Sequence, residues 1–315
     1  MKDTILESIK SWEKKNKDIK TVIVIGSSIR QANKGDKYSD IDLIIVTKDP
    51  FKYEKSSRWI SEIYKPVSFH NGHEISKGNF VKRIFFENEV AVDITFLDHR
   101  LLNAAGFYAL TKEKLPIVLK LLGRANIKNI EKQLLNFTYY LHRGYYLLSE
   151  SSNAGSKIRR INRQCPYKTE YSFELQEFEL VVNRFWQNAY RAAFKIKRNE
   201  LFTAKLEHEP EMKQDLLNII EIFSKYKNGH NYETWHKGRF IEQWADPFIV
   251  EKMASIYGTY DAENTWDALQ RTILLFSNLS DLLFEFEVFQ NIENPEPYFT
   301  KWIKEIEQTL QFKLT

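Results

Sequence analysis

Two apolar runs separated by a polar turn constrain this chain most. Residues 21–25 (Thr-Val-Ile-Val-Ile) are β-branched throughout and empty into Gly26 and Ser27. Residues 41–47 (Ile-Asp-Leu-Ile-Ile-Val-Thr) form the second run, opened by Asp40 and carrying Asp42 as its second residue. Short runs of this kind, bounded by turn residues, are buried strands. Strand residues two apart point to one face, so Asp40 and Asp42 are expected side by side at one end of a sheet. Two hard carboxylates next to a Gly-Ser turn of phosphate size point to a magnesium–nucleotide site.

The neighbouring sequence extends that sheet. Ile5, Ile9 and Trp12 recur at helical spacing before the first strand, predicting an amphipathic helix over 3–17. Ser27 to Lys37 is expected as a loop or short helix across the strand ends. Asp49-Pro50 supplies an N-cap followed by proline at the first helical position, and Trp59, Ile60, Ile63 and Tyr64 mark an apolar helix face closed by Pro66. From Phe80 to Leu97 the period changes to two, predicting a strand to Phe86, a turn at Glu87-Asn88-Glu89 and a partner strand from Val90. In that partner strand Asp93 stands on the face opposite Val92, Ile94 and Phe96. An acid there is costly to bury alone, and a metal ion shared with Asp40 and Asp42 would compensate it.

Beyond about residue 127 strand signals fade. Helices are predicted at 130–149, 172–198, 210–226, 239–257, 262–289 and 298–312, and no fixed-period repeat appears. The fold class expected is α+β: a mixed sheet flanked by helices over residues 1–125, then an all-helical domain over 126–315. A length of 315 residues suits two domains. Forty-six basic against 42 acidic residues leave a formal charge of +4, too mild to argue for nucleic-acid binding. The one cysteine, Cys165, excludes an internal disulfide and a Cys-rich zinc site. No signal-peptide core and no apolar run near the roughly 20 residues of a membrane span are present. These features lead to the expectation of a cytoplasmic protein with no membrane partner.

A Gly-Ser turn, an Asp-x-Asp opening the next strand and a third acid within another strand together suit nucleotidyl transfer. That reaction needs charge neutralisation, in-line alignment and a base for the attacking hydroxyl. Magnesium held by carboxylates and phosphate oxygens supplies the first two. Gly26 lets the backbone approach the phosphates, and the Ser27 hydroxyl and amide can donate to them.

On these residues the first domain resembles the polymerase-beta-type nucleotidyltransferase fold. More closely, the chain resembles the aminoglycoside 6-adenylyltransferase (streptomycin adenylyltransferase) family in the Gly26–Asp40–Asp42 spacing and in Asp93 within an apolar strand. The likeness continues through Phe185-Trp186, Arg198 to Leu201, Trp235 to Phe240, Thr259-Tyr260 and Trp266 to Leu269. The resemblance implies Asp40 and Asp42 as magnesium ligands and Asp93 as a third ligand or the base. It also implies phosphate binding at Gly26, Ser27, Ser28 and Arg30, ATP as co-substrate, and an aminoglycoside hydroxyl as acceptor, met by the helical domain. Where the family reads Gly-Ser-Arg this chain has Ser28, so Arg30 and Lys37 are the candidates for the missing charge. The alternatives are transfer to a lincosamide, another small alcohol, a protein or an RNA, or a non-catalytic, antitoxin-like nucleotide binder.

Other residues carry weaker signals. Glu87 and Glu89 read as solvated turn acids, and His70 and His73 as surface histidines in a Gly-containing turn. Lys157, Arg159, Arg160 and Arg163 read as a solvated linker. Trp235, His236, Lys237 and Arg239 suit either a pocket loop or a helix cap, and Glu170 and Glu174 either a cationic acceptor or plain exposed helix faces.

Overall fold

The computed structural model describes residues 1–30, 35–76, 79–121, 123–149, 153–165, 175–230 and 232–310. Its contacts divide the chain into two compact units, Met1–Thr169 and Glu170–Thr315.

The first unit is built on a six-stranded mixed sheet of order β3-β4-β5-β2-β1-β6. The strands are β1 (Ile19–Ile25), β2 (Ile41–Thr47), β3 (Pro66–Ser76), β4 (Asn79–Phe86), β5 (Ala91–Asp98) and β6 (Tyr146–Leu147). Only β2 and β5 pair in parallel. The helices are α1 (Lys2–Lys15), α2 (Pro50–Lys55), α3 (Ile60–Ile63), α4 (His99–Lys114), α5 (Pro116–Leu121), α6 (Arg124–His142) and α7 (Ala154–Gln164). The α+β expectation holds, and the four strands predicted from β-branched and period-two patterns are β1, β2, β4 and β5.

Alternation sorts the sheet residues onto two faces. On one, Val22, Val24, Leu43, Ile45, Ile84, Ile94 and Phe96 bury with Ile5, Ile9 and Trp12 of α1 and with Tyr53, Trp59 and Ile60. Tyr53 stacks on Phe96 at 4.9 Å between ring centroids, and Trp12 lies 5.2 Å from Trp59. Lys82 is buried on this face as well, its Nζ donating to Tyr53 O at 3.2 Å and Ser57 Oγ at 3.0 Å. On the other face Ile23, Ile25, Ile44 and Val46 bury with Leu102, Ala105 and Ala109 of α4, Leu141 of α6 and Ile158 and Ile161 of α7. This second core is why the units divide after Thr169 rather than near residue 125: α6 and α7 belong to the sheet.

Two helices here differ from the sequence reading. No helix is foreseen over α4, although Asp98 caps it by accepting from the Arg100 amide at 2.8 Å. Residues 157–163 are not a linker but lie on α7, where Arg160 and Arg163 pair with Glu113 of α4 at 2.9 and 2.8 Å. Their apolar partners Ile158 and Ile161 recur one helical turn apart on the buried side.

The second unit is helical: α8 (Leu175–Lys197), α9 (Leu201–Leu206), a π-turn over Glu207–Met212, α10 (Lys213–Asn228), α11 (Ile241–Trp244), α12 (Pro247–Val250), α13 (Ala262–Phe284) and α14 (Glu296–Glu307). Its core centres on Phe185, Trp186, Ile219, Trp266, Phe276 and Leu279, with Phe185 stacked on Phe276. The single helix predicted over 239–257 is broken: Pro247, lacking an amide proton, starts α12 behind the cap Asp246. The predicted 262–289 helix stops at Phe284 and gives way to a 3-10 turn at Glu287–Phe289. Among the described residues no helix is long and apolar enough to cross a membrane.

Candidate active site

The tip of β1 turns through a 3-10 segment, Gly26–Ser28. Gly26 has φ +83, and a Cβ there would lie 1.9 Å from Asp42 Oδ2, so both backbone conformation and space demand glycine. Ser27 is 4 % exposed and its amide donates to Asp42. Its carbonyl accepts from the Gly35 amide at 2.7 Å, whereas its buried Oγ has no hydrogen-bond partner among the described residues. Ser28 turns its hydroxyl back onto Ile25 O at 3.4 Å.

Strand register brings the acids together. Asp42 of β2 stands opposite Ile25 of β1 on one side and opposite Asp93 of β5 on the other. Register partners project to one face, and Asp40, two residues before Asp42, joins them. One carboxylate oxygen from each of Asp40, Asp42 and Asp93 lies within 4.8 Å of the others. At that separation each like-charged pair repels by roughly 3 kcal/mol at an effective dielectric of about 20. Burial, then the charges of Asp40 and Asp93, push the Asp42 carboxyl up to about 7, against the opposing pull of Arg30 and the Ser27 amide. Burial also raises Asp93, opposed chiefly by Arg83, with Asp40 adding to the rise. A divalent cation fits this donor set: three hard oxygen donors converge, and their excess negative charge is what a cation neutralises.

Two side chains at this site carry no signal in the sequence. Arg83 of β4 is the register partner of Asp93, and its Nε lies 3.0 Å from Asp93 Oδ2. Burial, then the charge of Asp42, raises the phenol of Tyr140 on α6. The end of α6 reaches the Gly-Ser turn here, and a Cβ on Gly144 would lie 3.5 Å from Ile29 O. Both placements follow from pairing and packing between distant segments, which residue spacing does not encode.

The weaker candidates separate. His70 lies on β3 as the register partner of Arg83, so the His70–His73 stretch is strand rather than turn; the His73 side chain lies outside the described residues. Glu87 pairs with Lys65 at the β4–β5 turn, and Glu89 is exposed with φ 62. Lys37 lies over the exposed Tyr38 ring at 4.7 Å. Trp235 packs edge-on against Phe240 beside the helical core, and Arg239 O accepts from Trp244 Nε1 at 2.8 Å, which makes this stretch a packed connection. Glu170 and Glu174 lie outside the described residues.

A family model described as streptomycin adenylyltransferase matches residues 1–133 and 162–305. The chain belongs to the streptomycin adenylyltransferase family. An aminoglycoside 6-adenylyltransferase from Campylobacter jejuni is 20 % identical over 287 residues, covering 88 % of this chain and 85 % of that protein. Two solved structures align over most of the chain. One is an aminoglycoside 6-adenyltransferase from Bacillus subtilis, at 14 % identity, 97 % coverage of both chains and a TM-score of 0.40. The other is a nucleotidyltransferase-like protein from Exiguobacterium sibiricum, at 10 % identity, covering 99 % of this chain and 81 % of that one, with a TM-score of 0.36. As a member of the streptomycin adenylyltransferase family, the chain is a nucleotidyltransferase enzyme.

Proposed function

We propose that this chain transfers AMP from ATP, with Mg2+, to a hydroxyl of an aminoglycoside, and that this acceptor is of the streptomycin type, modified at its 6-position so that the antibiotic is inactivated. The cytoplasm, where ATP is plentiful, is the proposed place of action. The observation that carries this reading is the convergence of Asp40, Asp42 and Asp93 within 4.8 Å at the end of the strands that flank the Gly-Ser turn. Asp40, Asp42 and Asp93 would hold Mg2+, which when bound neutralises phosphate charge and favours in-line geometry.

The chain's own residues supply the rest. Gly26 leaves room for the Asp42 carboxylate against the turn, and the buried Ser27 hydroxyl donates to a phosphate oxygen. Ser28 and Arg30 are the further phosphate-binding residues in this reading, and the Arg30 charge already acts on Asp42. Asp93 accepts the proton of the acceptor hydroxyl as its oxygen bonds to the α-phosphorus. The bond from that phosphorus to the bridging oxygen breaks, and pyrophosphate leaves on the Gly26–Ser27 side.

Mass spectrometry after incubation with ATP, Mg2+ and a panel of aminoglycosides, lincosamides and other alcohols tests this. The reading requires a streptomycin-type aminoglycoside to gain one AMP. Labelling of a lincosamide or of the protein itself, with aminoglycosides unchanged, would replace the acceptor assignment.

A further inference from the structure

Across four strands the site face carries one row of register partners: His70 on β3, Arg83 on β4, Asp93 on β5 and Asp42 on β2, with Gly26 following Ile25 at the tip of β1. The apolar core on this face takes buried side chains from β1 and β2 but none from β3 or β4 among the described residues. Arg83 therefore lies on an uncovered stretch, with 53 % of its side chain exposed against 21 % for Asp93, and Phe85 two residues on is 52 % exposed. Its neighbour Lys82 points to the opposite face and is held in that core, so the two adjacent cations have different tasks.

Position along the row gives Arg83 its side of the reaction. In-line transfer puts the leaving group and the attacking hydroxyl on opposite sides of the phosphorus. With the phosphates at Gly26 and Ser27, beyond β2, the attacking hydroxyl enters from the β4 side of Asp93. Strands lie about 4.8 Å apart, so the Arg83 strand is about 10 Å from the Asp42 strand. That distance places Arg83 beside Asp93 rather than over the metal-binding pair. Its Nε, 3.0 Å from Oδ2 of Asp93, forms an ion pair that draws this carboxylate toward the β4 side.

We propose that Arg83 is the positioning residue for Asp93 on the acceptor side of the site. This rests on the adenylyl-transfer reading above. Arg83→Gln removes the charge and Arg83→Lys keeps it without the planar fork. Steady-state kinetics with ATP and the acceptor that the wild type labels, alongside thermal melts to check folding, are the test. For Arg83→Gln, kcat is expected to fall by about 10- to 100-fold, the usual consequence of losing a group that orients a metal-site ligand. The KM for ATP should stay within about twofold of wild type, since ATP binds on the other side of Asp42, and Arg83→Lys should recover part of kcat. An unchanged kcat in a folded Arg83→Gln protein overturns the role, as does a loss confined to the KM for ATP, which would make Arg83 a phosphate ligand. A wild type that labels no acceptor overturns the adenylyl-transfer reading itself, and the role with it.

Discussion

The two units treat buried carboxylates in opposite ways. In the helical unit, Asp215 is fully buried on α10, and Arg184 of α8 donates to it through Nε at 2.8 and 3.1 Å and through Nη2. At the start of α10, Lys213 Nζ lies 2.8 Å from His208 Nε2 and 3.0 Å from Thr272 Oγ1, while Glu209 receives Lys205 at 2.9 Å. Asp215 and Glu209 are thus matched by cations inside the unit, whereas Lys213 is held by His208 and Thr272 rather than by an acid. In the sheet unit Asp40, Asp42 and Asp93 converge with two cations, Arg30 and Arg83, opposing only part of their repulsion. Among the described residues they are the only group of acids, histidines or cysteines placed to share a metal ion. The difference separates a paired carboxylate, which holds helices together, from a carboxylate cluster whose excess charge a bound cation would neutralise.

Asp42→Asn probes the contrast most sharply. Transfer should fall by at least about 1,000-fold in an ATP-dependent labelling assay, because a metal ligand is gone. Its thermal stability without divalent cation at pH 8 should equal or exceed wild type by about 1–3 kcal/mol, since a repelled charge has been removed. Asp215→Asn should do the reverse: burial raises this carboxyl as well, but the substitution breaks its hydrogen bonds from Arg184. Urea unfolding should show a loss of about 2–4 kcal/mol, as expected when a buried pair loses its carboxylate and the arginine left behind is partly exposed. If both substitutions destabilise alike, the contrast fails.

Gly26→Ala should cost about 1–3 kcal/mol from its positive φ, with a further loss of cation binding because the new methyl displaces the Asp42 carboxylate. Calorimetric titration with Mn2+ reads the second effect, and unimpaired binding would show that the close approach is immaterial.

The effects of pH at Asp42 and Lys213 have opposite signs. Asp42 titrates near 7 in the fold against 3.8 ordinarily, so its contribution is present below pH 4 and lost as pH rises to 7. Added Mg2+ should therefore raise the melting temperature more at pH 8 than at pH 5. Burial lowers Lys213 from 10.5 to about 7, so the fold carries the full cost of its charge below pH 7 and sheds it between pH 7 and 10.5. Lys213→Met should flatten that rise in stability on melting curves taken between pH 7 and pH 10.

The same comparison explains what the sequence made legible. β1 and β2 are runs of β-branched residues whose burial on both faces needs no partner to be inferred, and Asp42 and Asp93 stand out because they interrupt such runs. β3 stayed hidden because Asn71-Gly72 reads as a turn, whereas the structure carries the strand through that point with irregular register between Asn71 and Glu74. The basic charges of α7 obscured its buried isoleucines, whose partners on β1, β2 and α4 are distant in sequence. Arg83 is one of many exposed cations until β4 pairs with β5 and sets it against Asp93.

If Asp40, Asp42 and Asp93 hold a divalent cation for adenylyl transfer, Mn2+ should bind there. Electron paramagnetic resonance of Mn2+, titrated at pH 8 with ATP into wild type and Asp42→Asn, reads that binding. Saturable binding to the wild type, weakened by an order of magnitude or more in the variant, is the predicted result. Equal binding by both proteins would contradict it.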